Sequence, residues 1–213
     1  MNMKLQCNDM KCYIQSNDII DFSDSIEILH LSRDISACAS NEIELIKTAY
    51  EYVRDSIHHS ADIQGKVVTC KASEVLSAKE GICYAKSHLL AAILRANQIP
   101  AGLCYQKIIL DDESAPYLTL HGVNAVYVSS IDKWIRLDAR GNKQGVNAQF
   151  SMEEERLAFP VRIHKGESDI SIIYAYPDAN VIEVMTRYKK LDQLWDHLHM
   201  SLEDDVGGCG NSP

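Results

Sequence analysis

Apolar residues recur at helical spacing in two stretches of the first half of the chain. In residues 42–57, positions such as Ile46 and Tyr50 lie three or four residues apart along the stretch, which predicts an amphipathic helix. A second apolar run follows a glycine turn at Gly81 and extends through residues 83–96. This second helix is expected to organise the rest of the chain.

The segment after the second helix reads as β-strands. Residues 103–110 and 118–129 each predict a strand, and a third follows over residues 134–138 after a polar turn at 130–133. Two strands joined by a short polar turn form a hairpin. The chain is therefore expected to have an α+β fold, with helices ahead of an antiparallel sheet.

The remaining segments carry weaker patterns. No repeat or convincing boundary divides the chain, so one domain is expected over residues 1–213, with its core at about 43–143. Ahead of the two helices and between them, short strands or an irregular lobe are expected in 1–40 and a short helix from Ser73 to Ala78. After the hairpin, residues 144–170 are expected to be mostly irregular and 170–176 to form an edge strand. The chain then predicts a helix from Val181 to Met200, with Trp195 and Leu198 among its packing positions, and a disordered tail in 206–213 with Cys209 exposed.

Composition and charge narrow the classes of partner. The chain has ordinary globular values, with 46% hydrophobic and 24% charged residues. Its formal net charge of −9, without a basic cluster, argues against nucleic acid and anionic membranes. No apolar run approaches the roughly 20 residues that span a bilayer. The first residues lack the apolar core of a signal peptide, so a cytoplasmic protein is expected. The sequence leaves the oligomeric state open.

Cysteine and histidine spacing gives no support for a metal site. The seven cysteines are irregularly spaced and form no C-x-x-C pair, which favours free thiols in a reducing compartment. His58 and His59 are adjacent, but neighbouring side chains diverge on a helix and no thiol or carboxylate nearby completes a ligand set. We therefore expect neither a metal nor another cofactor.

One cysteine is placed where a nucleophile would be useful. Cys83 falls in the first turn of the second helix, on the same face as Ser87 and Leu90. The positive end of the helix dipole and the unpaired backbone N–H groups of that turn favour a thiolate. Gly81 keeps the approach to the sulfur open. The alternative is that Cys83 is one more small buried residue of an apolar helix.

A histidine and an aspartate complete a candidate site. Centring the hairpin on its turn brings His121 and Asp138 to the same end of the sheet. If the N-terminus of the second helix packs there, Cys83 joins them. The thiolate would then attack a carbonyl, the imidazole would carry the proton, and the carboxylate would orient the ring. The simpler alternative is a hydrogen-bonded histidine–aspartate pair within a strand.

These residues occur within a wider resemblance to the transglutaminase-like superfamily. The motifs that carry it, in order, are Gly81-Ile82-Cys83-Tyr84-Ala85 opening a helix, Ile99-Pro100-Ala101-Gly102, His121, and Trp134-Ile135-Arg136-Leu137-Asp138. That superfamily includes bacterial proteins regarded as cysteine proteases, and its core resembles the papain-like fold. The resemblance covers roughly half of the chain.

The resemblance implies a thiol hydrolase or acyl-transfer enzyme. Cys83 is then the nucleophile, His121 the general base and acid, and Asp138 the orienting acid. The implied substrate is a peptide, a protein or a small amide, attacked through a thioester. The chain departs from the commoner pattern at Val123 and Ala139, where an aromatic residue and a proline are frequent. Calcium is not implied, because the further domains of the calcium-dependent members are absent.

Other functions and residues remain open at this stage. A catalytically silent peptide-binding module could use the same scaffold, and acetyl transfer to arylamines uses a similar cysteine, histidine and aspartate. Among other candidates, His88 is expected to be a surface or packing residue, and Cys70 and Cys104 are expected to fill the core. Arg140 and Asn142 follow Asp138 and could either line a cleft or form an ordinary turn.

Overall fold

The computed structural model describes residues 3–113, 115–195, 197–198 and 202. The α-helices are α1 (Ile26–Cys38), α2 (Glu42–Ser56), α3 (Ala72–Ala78), α4 (Cys83–Ala96), α5 (Ala179–Arg187) and α6 (Leu191–Trp195). The strands are β1 (Lys4–Leu5), β2 (His58–His59), β3 (Glu80–Gly81), β4 (Ala101–Asp111), β5 (Ala115–Val128), β6 (Lys133–Leu137), β7 (Ser168–Asp169) and β8 (Ile172–Ile173). The predicted α+β class is confirmed.

Helix α4 lies at the centre of the core. It packs against α1, α2 and α3 on the helical side and against β4 and β5 of the sheet. Nearly every one of its side chains is buried, including the polar residues Lys86, Ser87 and Arg95. A helix that is apolar around most of its circumference can be stable only when it is covered on all sides. The expectation that this segment organises the chain is confirmed.

The main sheet has four strands in the order β6-β5-β4-β7, and all neighbours are antiparallel. In the predicted hairpin, Asn124 pairs with Leu137 and Val128 with Lys133. The connection is a 3-10 turn that ends at Asp132, whose φ of 51° is left-handed. This register confirms the predicted pairing and leaves Asp138 immediately beyond the end of β6.

The N-terminal region differs from the prediction of strands or irregular structure. Helix α1 occupies its last third, begins at an N-cap where Ser25 accepts from the backbone N–H of Ile28, and buries Ile28, Ser32 and Ile35. Because a serine occupies the middle of the buried face, the apolar spacing of this helix is broken in the sequence. The prediction for residues 1–40 is therefore wrong over α1, although β1 is a short strand as expected.

Two further expectations need correction. The helix predicted from Val181 to Met200 is divided into α5 and α6, because Lys190 leaves helical geometry to bridge with Val67. The edge strand predicted in 170–176 is reduced to β8, which pairs in parallel with β1. Residues 206–213, including Cys209, lie outside the described residues.

The expectation of free thiols fails for one pair of cysteines. Cys7 and Cys12 form a disulfide, with their Cα atoms 6.5 Å apart. They become neighbours because the 3-10 turn Met10–Tyr13 folds the short segment between them back on itself. Within the part of the chain that the structure describes, no helix is long and apolar enough to traverse a lipid bilayer.

Candidate active site

Cys83 is the first residue of α4, as the sequence predicted, and is partly buried. The N-cap residue, Ile82, offers no side-chain acceptor to the first turn, and that turn contains no acidic residue. The caps of α1, α2 and α5, by contrast, are Ser25, Asn41 and Asp178, each accepting a backbone N–H. Without a capping side chain, the N–H groups around Cys83 can serve an external acceptor.

Tyr84 fixes this helix end against β5. Its ring lies on Gly122, where a Cβ atom would come within 2.7 Å of the ring carbon Cδ1. Its hydroxyl donates to the carbonyl oxygen of Leu120. Leu120 and Gly122 are the two neighbours of His121 in the chain. Tyr84, the residue after Cys83, therefore contacts β5 on both sides of His121.

The structure brings together the three residues singled out from the sequence. His121 Nε2 lies 2.8 Å from Asp138 Oδ2, and both side chains are buried. Cys83 and His121 line the same cleft, and Cys83 is close enough for its charge to contribute to raising the pKa of the imidazole. Because Asp138 bonds to Nε2, Nδ1 is the ring nitrogen that is left for another partner. The thiol, the imidazole and the carboxylate thus lie next to one another at this end of the sheet.

Backbone groups hold the carboxylate in place. Asp138 Oδ1 accepts from the N–H of Arg140 at 3.0 Å, and Oδ2 accepts from the N–H of Ala158 at 2.9 Å. Burial opposes the charge on Asp138, but His121 and these donors lower the pKa of the carboxyl group below its ordinary value. The aspartate is consequently ionised and fully bonded at neutral pH.

The electrostatics favour a protonated His121. Burial opposes its positive charge, but Asp138 and Cys83 outweigh burial and raise the pKa of the imidazole to about 10. The rings of His121 and Phe159 are nearly perpendicular, with centroids 5.0 Å apart at 89°. An imidazolium beside a sulfur stabilises the thiolate, which is the reactive form of cysteine.

Lys86 ties the helix of Cys83 to the loop of Asp138. One turn after Cys83, its ammonium lies among three backbone carbonyls, of Arg54 at 3.2 Å, of Ile57 at 2.5 Å and of Arg140 at 3.0 Å. Burial, together with the positive charge of Arg140, lowers its pKa to about 7. Sequence reasoning missed this residue because a lysine on a helix is normally solvent-exposed.

A cleft of about 430 Å³ opens onto Cys83 and His121. Arg140 lines it and pairs with Asp62 through two contacts of 2.6 and 2.8 Å. Asn142 instead closes a turn by bonding both backbone groups of Ala148. Of the two roles left open from the sequence, Arg140 therefore takes the first and Asn142 the second.

The other candidate residues from the sequence lie in the core or beside the cleft. His88 is buried, with Nδ1 2.8 Å from the carbonyl oxygen of Cys70, and Cys70 and Cys104 are core residues as expected. His59 also lines the cleft, where burial and then Arg140 lower its pKa well below the ordinary value. Among the described residues, no group of three or more histidine, cysteine, aspartate or glutamate side chains could hold a metal ion.

Comparison with solved structures identifies relatives of this fold. A putative cysteine protease from Cytophaga hutchinsonii superposes with a TM-score of 0.51 at 16% identity, over 63% of this chain and 43% of that protein. A putative protease from Parabacteroides distasonis gives 0.39 at 14% identity, over 66% and 30%. A structure described as a TGase gives 0.37 at 19%, over 60% and 33%. This chain thus spans less than half of the length of each. No curated protein matches it significantly.

Fold and site together define a mixed helix and sheet protein with a cysteine at the start of its central helix. Residues 29–139 match the transglutaminase-like superfamily, which is just over half of the chain. The chain belongs to that superfamily. At the level of the family, membership supports an enzyme with a cysteine nucleophile.

Proposed function

We propose that this protein is a cysteine-nucleophile enzyme that cleaves an amide or peptide bond through a thioester acyl-enzyme, as a thiol protease or a transglutaminase-like amidase. The observation that carries the proposal is that Cys83, at the uncapped start of α4, lines an open cleft together with His121, which is itself paired with Asp138 at 2.8 Å. The alternative is a core cysteine next to a hydrogen-bonded histidine–aspartate pair without catalytic function. That alternative would not explain the cleft or the uncapped start of α4.

The reaction follows from these positions. The Cys83 thiolate attacks the carbonyl carbon while His121 holds the proton, and the first-turn N–H groups of α4 receive the developing oxyanion. As the C–N bond breaks, His121 passes its proton to the departing amine. Water then attacks the thioester and gives a proton to His121. The C–S bond breaks, the carboxylic acid leaves, and the thiolate–imidazolium pair is restored. An amine in place of water would give transfer rather than hydrolysis.

Intact-mass spectrometry after incubation with a library of peptides, including glutamine-containing ones, tests the proposal. We expect an acyl adduct on Cys83 in the wild type and none in Cys83→Ala, whose fold should be retained because only one partly buried sulfur is lost. Analysis of the products for free acid or for transfer to an added amine separates the two outcomes. Equal product release by the wild type and by Cys83→Ala would show that Cys83 is not the nucleophile. The absence of both adduct and product in the wild type would support a silent binding module instead.

Alkylation by iodoacetamide at pH 6 provides a test that needs no substrate. Cys38 is a matched control, since it is a free and exposed cysteine away from the site. We expect Cys83 to react faster than Cys38, although it is less exposed, because the neighbouring imidazolium favours the thiolate. His121→Ala should slow Cys83 and leave Cys38 unchanged. Faster labelling of Cys38 in the native wild type would count against an activated Cys83.

A further inference from the structure

The cleft beside Cys83 has a predominantly apolar wall. It is formed by Leu110, Leu120, Val146, Phe159, Trp195 and Leu198. The volume of about 430 Å³ lies towards the lower end of the usual range for ligand pockets, about 300–1,000 Å³. The space suits one bulky side chain next to the reacting carbonyl better than a long stretch of peptide.

The charged side chains that line the cleft are either paired with an opposite charge or exposed to solvent. Arg140 is held by Asp62 through its two-point contact, and Lys143 lies 3.3 Å from the same carboxylate and is half-exposed. Asp111 is exposed at the end of β4. A charged substrate side chain in the cleft would lose water without gaining a free counter-charge, whereas an apolar one would gain from burial.

The C-terminal part of the apolar wall is held in place by contacts with the rest of the fold. The carbonyl oxygen of Leu198 accepts a buried hydrogen bond from the Thr119 hydroxyl at 2.7 Å. Thr119 lies two residues before His121 on the same strand. Leu194, on α6, is fully buried and holds the preceding turn in the core. The part of the wall formed by Trp195 and Leu198 therefore keeps a defined position relative to the site.

Much of the wall comes from outside the family match. Val146, Phe159, Trp195 and Leu198 all follow residue 139, at which the match to the superfamily ends. The cysteine, histidine and aspartate all lie inside the match. The shape of the cleft is thus a property of this chain, and family membership does not dictate the side chain that it accepts.

Resting on the function proposed above, we infer that this cleft selects amide substrates with an uncharged, bulky apolar side chain, leucine- or phenylalanine-like, on the acyl side of the cleaved bond. The apolar wall receives that side chain and brings the adjoining carbonyl carbon to Cys83. Binding energy from the side chain then positions the reacting atoms.

Matched N-acetyl-aminoacyl acyloxymethyl ketones carrying leucine, phenylalanine, lysine or glutamate side chains test this selectivity. The Cys83 sulfur forms a thioether with the ketone methylene carbon, and the carboxylate leaves with the bonding electrons. We expect the second-order labelling rates for the leucine and phenylalanine probes to exceed those for lysine and glutamate by at least about 10-fold, within the ~10–200-fold discrimination that an apolar pocket supplies. Equal rates for all four probes at Cys83 would overturn the inference.

A charge placed in the wall gives a positive test. Leu110 is 44% exposed and lines the cleft, whereas Leu118, on the neighbouring strand, is 41% exposed and lies outside it. Leu110→Glu should raise the labelling rate of the lysine probe about 10-fold relative to leucine. Leu118→Glu, which changes the net charge equally, should leave the ratio unchanged. The same shift in both variants would attribute selectivity to the overall field and overturn the inference.

The outcomes also separate this inference from the proposed function. If Cys83 is labelled by every probe without selectivity, the nucleophile stands and the apolar specificity falls. If no probe labels Cys83 while iodoacetamide does, the proposed acyl chemistry fails, and the substrate class fails with it.

Discussion

At the scale of single residues, the most unusual group is His121, a buried side chain that carries a positive charge. Its desolvation is offset by Asp138, which bonds to Nε2, and by the charge of the neighbouring Cys83. Asp138 in turn depends on the backbone N–H groups of Arg140 and Ala158. The charge of the imidazole is therefore maintained by partners from three separate parts of the chain.

The pH dependence of stability should report this charge. The pKa of His121 is about 10 in the folded protein, against about 6.5 for an unperturbed histidine. The folded state binds the proton more tightly, so the stabilisation is complete below pH ~6.5 and is lost as the pH rises towards 10. Asp138→Asn should remove most of it, on the order of a few kcal/mol at ~1.36 kcal/mol per pKa unit. Urea unfolding of both proteins from pH 6 to 10 measures the difference. Parallel pH profiles would contradict the assignment.

At the scale of elements, the position of the thiol depends on how the end of α4 is fastened to β5. Tyr84 accomplishes this with its ring on Gly122 and its hydroxyl on the Leu120 carbonyl. Burial raises the pKa of this hydroxyl well above its ordinary value, so it remains a donor at every physiological pH.

Removing that hydroxyl should weaken the junction. Tyr84→Phe loses a buried hydrogen bond and is expected to reduce the free energy of unfolding by about 1–2 kcal/mol. Tyr127→Phe is the matched control, since its hydroxyl bonds to Asp132 at an exposed site and its loss should fall within ~0.5 kcal/mol. Chemical denaturation of the three proteins provides the comparison. An equal loss in both variants would show that the Tyr84 contact does not fasten the helix end.

The sequence predicts the elements that carry a clear local pattern. Helix α2 and the β5–β6 hairpin have periodic apolar positions and α4 has a nearly continuous apolar run, and their bounds agree with the prediction to within a few residues. Helix α1 escapes prediction because a buried serine, Ser32, interrupts its apolar face. The break between α5 and α6 escapes because it depends on the distant bridge of Lys190 to Val67.

The candidate site shows the same limit. Cys83, His121 and Asp138 can be selected from the sequence, since their types and order carry the chemistry. Phe159, which faces His121, and Ala158, which donates to Asp138, lie in irregular chain, and only the tertiary fold brings them near the site. Trp195 packs against the core as expected, and it also lines the cleft. No local pattern distinguishes these roles.

At the scale of the whole molecule, the prediction of one domain over residues 1–213 can be tested with the two tryptophans. Trp134 packs on Tyr13 from the N-terminal region, and Trp195 lies at the cleft near the other end of the described chain. The fluorescence of Trp134→Phe and of Trp195→Phe, each compared with far-ultraviolet circular dichroism of the same variant, should give coincident transitions. Two separated transitions within either variant would indicate two independently unfolding units.

The buried ammonium of Lys86 has a consequence for how the site comes into being. Its three carbonyl acceptors belong to the end of α2 and to the loop after Asp138, while the lysine itself belongs to the helix of the thiol. With a pKa of about 7 the amino group could lose its proton, but burying it with one of these acceptors missing would still leave a polar group unsatisfied, which is unfavourable. Partly assembled forms, in which the thiol helix is docked but the aspartate loop is not, are therefore disfavoured. We therefore expect the helix that carries Cys83 and the loop that follows Asp138 to dock together in a single step as the chain folds.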